Sequence, residues 1–572
     1  MKSIDCCSAL LYYPFSTDTL AKIDGSLQLQ RVEIDMKRMD IIIAVILVLG
    51  TMGLTFAVRD SNAAGASTIP DHIVLTWAEN PATTQTITWR TDAGVTSGMV
   101  EFEPGSAVTR HAKRVSALMS EYANDLGQAR IFSATLHGLS PNTKYSYRVG
   151  DGINWSTTHV FTTADPKSES FKFLVFGDSQ SGKPADPNYE PWRTTVHNAF
   201  AKNHDARFMM NVGDLVEEGN TGVHWNNWFS AASGVIDSIP EMPVEGNHET
   251  YGKTIDKRGW TPQFTLPQNG PDKLKGRVYS YDYGNVHFVV LDSQQDEEKD
   301  TIGDVLEMQK GWLDADLAAS KAAWKIVLFH KTPYSLKASR MNEAIKAAFC
   351  PIIEKHHVDL VLTGHDHGIG RTYAIYQDKF VSKPSQGSIY YVTGRSGNKS
   401  YPDLSGKFWN TYFYDPQDQP NYLVVNVSKS KLTVDTFKQD GVKIDSFFID
   451  KAKDVDTDTA LHPVPTSQWS KYAKPTAALY GNVFSPNVSR HEPVQKNGEW
   501  FVDAAAFAAN TNAVIDTSST RTTISLGGKS VRLGKDDVIV DNEVLLIPSN
   551  SLKTFGFSTS YNPAVNVVSI IK

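Results

Sequence analysis

Phe173-Leu-Val-Phe-Gly-Asp178 is an apolar, strand-like run that closes on a glycine and a carboxylate. The same design returns in Met209-Met-Asn-Val-Gly-Asp214, Pro243-Val-Glu-Gly-Asn247-His248-Glu249, Ile326-Val-Leu-Phe-His330 and Leu360-Val-Leu-Thr-Gly-His365-Asp-His367. An apolar, β-branched run bounded by glycine and polar residues reads as a buried strand of an α/β sheet. Such sheets collect their ligands at the carboxyl ends of the strands. Each of the five runs carries its Asp, Asn or His at that end, so one rim of a sheet can gather them all. The glycines before Asp178, Asp214, Asn247 and His365 are expected to let the backbone turn sharply there. His365 and His367 alternate on a segment read as extended, which places both on one face.

Carboxylates, an amide and imidazoles without a thiolate suit hard or borderline divalent ions, namely Mn, Fe, Zn, Mg or Ca. A bridging carboxylate holds two such ions roughly 3.5–4 Å apart, a spacing that clamps a phosphate during in-line displacement. Asp214 is the candidate bridge. Taken singly, Asp178 and Asp214 would pass for turn formers, Asn247 for a turn residue, His248 for a solvated loop histidine and His330 for a satisfied core histidine. Five such ends in series outweigh those readings. His204, His224, His287, His356 and His357 lack the strand-end context and read as structural or surface groups.

The series Gly-Asp178, Gly-Asp214, Gly-Asn247-His248-Glu249, His330 and Gly-His365-Asp-His367 resembles the calcineurin-like metallophosphoesterase superfamily, and within it the purple acid phosphatases, over about residues 68–450. The resemblance implies that Asp178, Asp214 and His367 bind a first divalent ion and that Asp214, Asn247, His330 and His365 bind a second. It implies that His248 is the proton donor, with Glu249 orienting it or a neighbouring loop. The expected activity is hydrolysis of a phosphomonoester substrate by a metal-bound hydroxide. A phosphodiesterase on the same two ions and an envelope-binding protein with a degenerate metal site are the alternatives. Two departures stand out. Where purple acid phosphatases carry an iron-binding Tyr, three residues after the second Asp, this chain has Glu217; where the wider superfamily has a His two residues after the first Asp, it has Gln180. Gln180 is therefore a candidate amide ligand of lower charge, favouring a divalent ion over ferric iron.

A chain of 572 residues exceeds what one core supports, which points to several domains. With 56 basic and 63 acidic residues the net charge is -7, and no long basic block is present, so composition makes no case for nucleic-acid binding. Residues 41–58 are apolar, follow Lys37 and Arg38 and precede Asn62-Ala-Ala-Gly-Ala66, the order of an export signal cleaved near Ala66. An N-terminal membrane anchor is the alternative. Cleavage would remove Cys6 and Cys7 and leave Cys350 alone, so no intramolecular disulfide is expected. A large exported chain without disulfides fits a secreted or cell-surface protein of a Gram-positive-type bacterium.

The expected organisation is multidomain: residues 1–66 an extension and signal, 67–165 an all-β sandwich, 166–450 an α/β sandwich, 451–475 a linker and 476–572 a small α+β domain. Alternation in Thr86-Ile-Thr-Trp89 and Tyr145-Ser-Tyr147-Arg-Val149 supports the first sandwich, which resembles a fibronectin-type-III module. In the second, helical stretches at 305–319 and 340–356 alternate with the strand runs, and the resemblance implies the four-layer αββα arrangement. Residues 278–291 read as a hairpin. A weak repeat, Asn497-Gly-Glu499-Trp-Phe-Val502 and Asp541-Asn-Glu543-Val-Leu-Leu-Ile547-Pro548, suggests that the last domain is a duplication with a helix after each unit. It resembles copper amine oxidase N-terminal-like domains, a name that implies no copper here, and a cell-envelope contact is the partner expected for it.

Overall fold

The computed structural model describes residues 65–250, 259–458 and 493–571, except 338–339, 341, 382, 405, 408, 542 and 563–566, together with the strand Ala477–Tyr480. The export signal, Cys6, Cys7 and most of the expected linker lie outside the described residues. No described helix is long and apolar enough to cross a membrane.

Eight strands open the described chain: β1 (Asp71–Thr76), β2 (Gln85–Asp92), β3 (Met99–Pro104), β4 (Lys113–Ser116), β5 (Leu118–Asn124), β6 (Gly127–Leu136), β7 (Lys144–Gly150) and β8 (His159–Thr162). They pair as two sheets, β1-β2-β6-β5 and β4-β3-β7-β8. Every second residue points inward, so Ile87 and Trp89, Val100 and Phe102, Phe132 and Ala134, and Tyr145, Tyr147 and Val149 form one core between them. This sandwich is hydrogen-bonded to the α/β part of the chain. Leu75 N–H donates to Ile236 O at 2.9 Å, and Leu75 O accepts from Glu241 N–H at 2.8 Å. The buried His72 ring lies 3.2 Å from Gln263 Oε1 and 3.1 Å from Asn226 Oδ1.

Fifteen further strands carry the α/β part: β9 (Phe171–Phe176), β10 (Met209–Asn211), β11 (Tyr279–Tyr283), β12 (Val286–Val290), β13 (Trp324–Lys331), β14 (Leu360–Gly364), β15 (Ile369–Thr372), the small hairpin β16 (Ile375–Tyr376) and β17 (Lys379–Phe380), β18 (Ile389–Thr393), β19 (Asn410–Tyr414), β20 (Asn421–Val427), β21 (Lys431–Lys438), β22 (Lys443–Asp450) and β23 (Val455–Asp458). One sheet runs β10-β9-β20-β21-β22-β23 and the other β11-β12-β13-β14-β18-β15-β19. Two helices, α1 (Glu190–Lys202) and α2 (Gly222–Ala232), come after β9 and β10; α3 (Val305–Ala319) and α4 (Glu343–Lys355) flank β13.

Side-chain alternation sorts the layers. Ile326, Leu328, Leu360 and Leu362 of the seven-stranded sheet face the six-stranded one, where Phe173 meets Phe288 edge-on at 5.4 Å. Their neighbours Val327, Phe329 and Val361 face the other way, onto Leu313 and Leu317 of α3 and Phe349 and Ile353 of α4. Beyond the six-stranded sheet, Phe176 packs on Trp192 of α1, which stacks on Trp228 of α2. The order is helices, sheet, sheet, helices.

Local sequence explains the elements and one departure from expectation. The helix read at 305–319 has those bounds, capped by Asp304, whose carboxylate accepts from Glu307 N–H. The third apolar run, 243–247, is not a strand. Met242 and Val244 donate to Met209 O and Asn211 O of β10, and the buried Pro243 between them has its nitrogen on the edge away from β10, where its missing N–H removes no bond to that strand. Strand β23 extends the sheet to Asp458, inside the stretch read as linker.

The expected hairpin at 278–291 is β11 and β12, and it carries an ion pair that sequence alone did not suggest. His287, read as a structural or surface group, donates from Nδ1 to Asp282 at 2.7 Å across the hairpin and from Nε2 to Asp316 of α3 at 2.8 Å. Burial works against its charge, but the two carboxylates push its pKa up to about 9. A raised pKa stabilises the fold below the unfolded value near 6.5, and the gain disappears as pH climbs through 9. Asp282 is exposed, which screens one arm. His287→Gln is therefore expected to cost about 1–2 kcal/mol at pH 6 and almost nothing at pH 10, measured by urea unfolding at both pH values. An equal loss at both would show that packing, not charge, accounts for it.

In the last part, Glu499–Asp503 pairs antiparallel with Val544–Pro548, Val502 opposite Ile547, so the two repeat units lie against each other. The helix after the first unit is α-helical (Ala504–Thr511); that after the second is a 3-10 helix (Ser549–Phe555).

Candidate metal centre

Asp178, Asp214 and His365 follow the carboxyl ends of β9, β10 and β14 by one to three residues, and His330 is the penultimate residue of β13, so these side chains meet at one rim. Among the described residues, ligand atoms of Asp214, His330 and His365 all lie within 4.8 Å of one another, and so do those of Asp178, Asp214 and His367. Asp214 is common to both groups. Its Oδ2 is 3.1 Å from His330 Nε2, which is also 3.1 Å from Asn247 Oδ1 and from His365 Nδ1. In the other group His367 Nε2 sits 3.1 Å from Asp178 Oδ1 without hydrogen-bond alignment. All the atoms concerned come from residues that are buried or nearly so.

The backbone reaches this arrangement by a route different from that expected. Asp178, Asp214, His365 and His367 themselves adopt positive φ, of 52°, 52°, 73° and 58°. Gly213 (φ 97°) is a genuine turn glycine, whereas Gly364 is needed because a Cβ there would stand 2.6 Å from Asp178 Oδ2. His365 and His367 accordingly do not share a strand face. They sit on a bend, and each faces a different ligand group.

Outer contacts aim the rings. His330 donates from Nδ1 to Val212 O at 2.9 Å and His367 from Nδ1 to Lys399 O at 2.8 Å, which leaves both Nε2 atoms facing the carboxylates. Glu249 does not touch the ligand atoms. Its carboxylate accepts from Asp214 N–H and Gly246 N–H through Oε2 and from Val216 N–H through Oε1, tying two ligand loops together. Burial, then Asp214, pushes its pKa up to about 8. Burial likewise opposes charge on Asp214, but His330 and His248 hold that carboxyl well below its usual range. Burial, with Arg340 and His330 beside it, keeps His365 well below 6.5, so that it is a neutral lone-pair donor.

The two departures noted in the sequence resolve differently. Glu217 turns away from the ligand groups: Oε2 accepts from Gly182 N–H at 3.0 Å and Oε1 from Lys399 Nζ at 3.1 Å. Gln180 points in, with Nε2 3.2 Å from Asp214 Oδ2 and a buried Oε1 that has no hydrogen-bond partner among the described residues. His248 is close by. Its Nδ1 donates to Glu217 O at 2.6 Å, and its Nε2 lies 3.9 Å from Asp214 Oδ2. His224, by contrast, bonds Tyr189 and Pro184 O and is structural. A third carboxylate group, Glu245, Asp292 and Glu298, surrounds Arg277, which pairs with all three.

Three residues at this rim escape a reading of the sequence: Lys399, Tyr401, whose ring packs 4.5 Å from that of His367, and Arg340, which donates to His365 O at 2.7 Å. The signal is present in part, because Ile389–Thr393 is one more apolar run ending in a Gly-Arg-Ser-Gly-Asn-Lys loop.

Residues 70–163 match the family Purple acid Phosphatase, N-terminal domain, and residues 171–368 match Calcineurin-like phosphoesterase. Residues 171–368 therefore form a calcineurin-like phosphoesterase domain. With its N-terminal sandwich the chain has the two-part organisation of the purple acid phosphatases, and its class is that of metal-dependent phosphoric ester hydrolases. It is 24% identical over 321 residues to purple acid phosphatase 23 of Arabidopsis thaliana, covering 49% of this chain and 67% of that protein. Probable inactive purple acid phosphatase 1 of the same plant is 24% identical over 402 residues, 63% of this chain and 64% of that protein. The fold is shared with purple acid phosphatase PPD1 from yellow lupin (Lupinus luteus) seeds, at a TM-score of 0.57 and 20% identity, covering 67% of this chain and 74% of that one.

Proposed function

We propose that this chain is an exported phosphomonoesterase that works with two divalent ions sharing Asp214. The observation that carries the reading is the place of Asp214 in both ligand groups. The residues fit such a pair: a donor set of oxygen and imidazole nitrogen, rings fixed by outer hydrogen bonds, and buried donor atoms of His367 and Gln180 lacking hydrogen-bond partners among the described residues. Asp178, Asp214 and His367, with Gln180, would hold one ion; Asp214, Asn247, His330 and His365 would hold the other. When bound, the ions supply Lewis acidity to the phosphoryl oxygens and activate a water for in-line attack.

The chain's own part is positional. Asp214 Oδ1 accepts from His248 N–H at 3.0 Å, which anchors the His248 backbone to the ligand group. Because Nδ1 donates to Glu217 O, His248 can hand a proton to the leaving oxygen only from Nε2, which accepts from Lys399 Nζ in this structure and must first take up that proton. Glu249 holds both loops in register without contacting substrate. The C-terminal part is proposed as a copper amine oxidase N-terminal-like module that contacts the cell envelope, a role separate from hydrolysis.

Comparing hydrolysis of 4-nitrophenyl phosphate and bis(4-nitrophenyl) phosphate by metal-loaded protein tests the assignment. Faster turnover of the monoester is expected; a preference for the diester would make the protein a phosphodiesterase. Gln180 gives a further check. Since Glu217 faces away where a metal-binding Tyr would stand, the protein should be colourless, with Gln180→Ala weakening the first ion by about tenfold and Gln180→His strengthening it. Equilibrium dialysis with a competing chelator reads the change, and unchanged affinity in both variants would remove Gln180 from the ligand set.

A further inference from the structure

The loop after β18 is laid along the first ligand loop: Gly397 N–H donates to Asp178 O and Asn398 N–H to Gln180 O, both at 3.0 Å. The next residue, Lys399, accepts from His367 through its carbonyl, and its Cα packs so close that a Cβ on Gly182 would come within 3.0 Å of it. Its backbone is thus fixed by the metal-ligand loops. The side chain is mostly buried, and its ammonium lies 3.1 Å from Glu217 Oε1 and 2.8 Å from His248 Nε2. An ammonium only donates, so His248 Nε2 accepts this bond. One cation is therefore held on the His248 side of Asp214.

We propose that Lys399 is a substrate-contacting residue that selects phosphomonoester dianions over diesters; this rests on the phosphoesterase reading of the same site. A buried lysine paired with glutamate would ordinarily serve the fold alone, but Glu217 already has the Gly182 N–H, and the ammonium is directed across it to His248, at the mouth of the ligand groups. A monoester dianion has three terminal oxygens, two for the ions and a third for a charged donor. A diester has only two. The ammonium therefore finds an acceptor in one substrate class and not in the other, and its bond to His248 Nε2 is exchanged for one to phosphate as the substrate binds. Glu217, standing where the family carries Tyr, is the residue that positions this lysine.

The test uses the metal-loaded chain with 4-nitrophenyl phosphate, bis(4-nitrophenyl) phosphate and, for binding without turnover, inorganic phosphate by calorimetry. Lys399→Met is expected to lower kcat/KM for the monoester about 10- to 100-fold and to weaken inorganic phosphate to a similar degree, while the diester changes less than about threefold and metal content stays the same. Lys399→Arg should restore much of the phosphate binding. Equal losses on both esters, or undiminished phosphate affinity in Lys399→Met, would overturn the assignment. If Lys399→Met does not fold, Glu217→Gln decides, because it frees the ammonium from its anchor: selective loss of monoester activity supports the proposal and an unchanged ester ratio overturns it. Wild-type protein that takes up metal yet hydrolyses neither ester would instead defeat the phosphoesterase reading.

Discussion

Asp214→Ala is expected to empty both ion sites and to lower hydrolysis by at least about 10³-fold, because one carboxylate serves two ligand groups. The loss is not only of charge. Asp214 Oδ1 also accepts from His248 N–H, and its Oδ2 lies 3.1 Å from His330 Nε2, so removal leaves the second group with two imidazoles and an amide. Asp178→Ala provides the contrast. Asp178 belongs to one group alone, so that variant should retain the ion held by Asp214, Asn247, His330 and His365. Metal analysis of dialysed protein separates the two: close to none for Asp214→Ala and close to one for Asp178→Ala. Two ions and normal turnover in Asp214→Ala would show that the bridge is elsewhere.

His248→Ala carries the second large effect. It should retain both ions, since His248 lies outside both groups, yet lose about 10²–10⁴-fold in rate if it donates the proton. The dependence on leaving group distinguishes roles. With Nε2 facing Asp214 and Nδ1 bound to Glu217 O, the proton is delivered from one atom only, and it matters most for a basic leaving oxygen. Alkyl phosphates should therefore suffer far more than nitrophenyl phosphate. An equal loss on both would mean that His248 positions the phosphate.

The site is legible in the sequence because its chemistry sits at strand ends, and strand ends are marked by local pattern. Phe173–Asp178, Met209–Asp214, Ile326–His330 and Leu360–His365 need only an apolar run and a polar stop to be recognised. What pattern does not convey is how loops pack on each other. Strand alternation anticipates the convergence of His365 and His367 for the wrong reason: positive φ at both sends them to separate ligand groups. The glycine at 364 acts through close approach, which depends on Asp178 arriving from far along the chain. Lys399 is invisible for a related reason. The apolar run before its loop marks only a strand end, and the meaning of the lysine comes from Glu217 and His248, roughly 150 to 180 residues earlier. Pro243 is readable as a strand breaker, but its place along an edge, beside β10, is not.

Titrating chelator-stripped 572-residue protein with Mn²⁺ or Zn²⁺, with bound metal and 4-nitrophenyl phosphate hydrolysis measured together, decides whether Asp214 joins two ion sites. Two ions per chain, with hydrolysis rising as the second is taken up, is the expected result. Full hydrolysis at one ion per chain, or saturation with two ions and no hydrolysis, would contradict it.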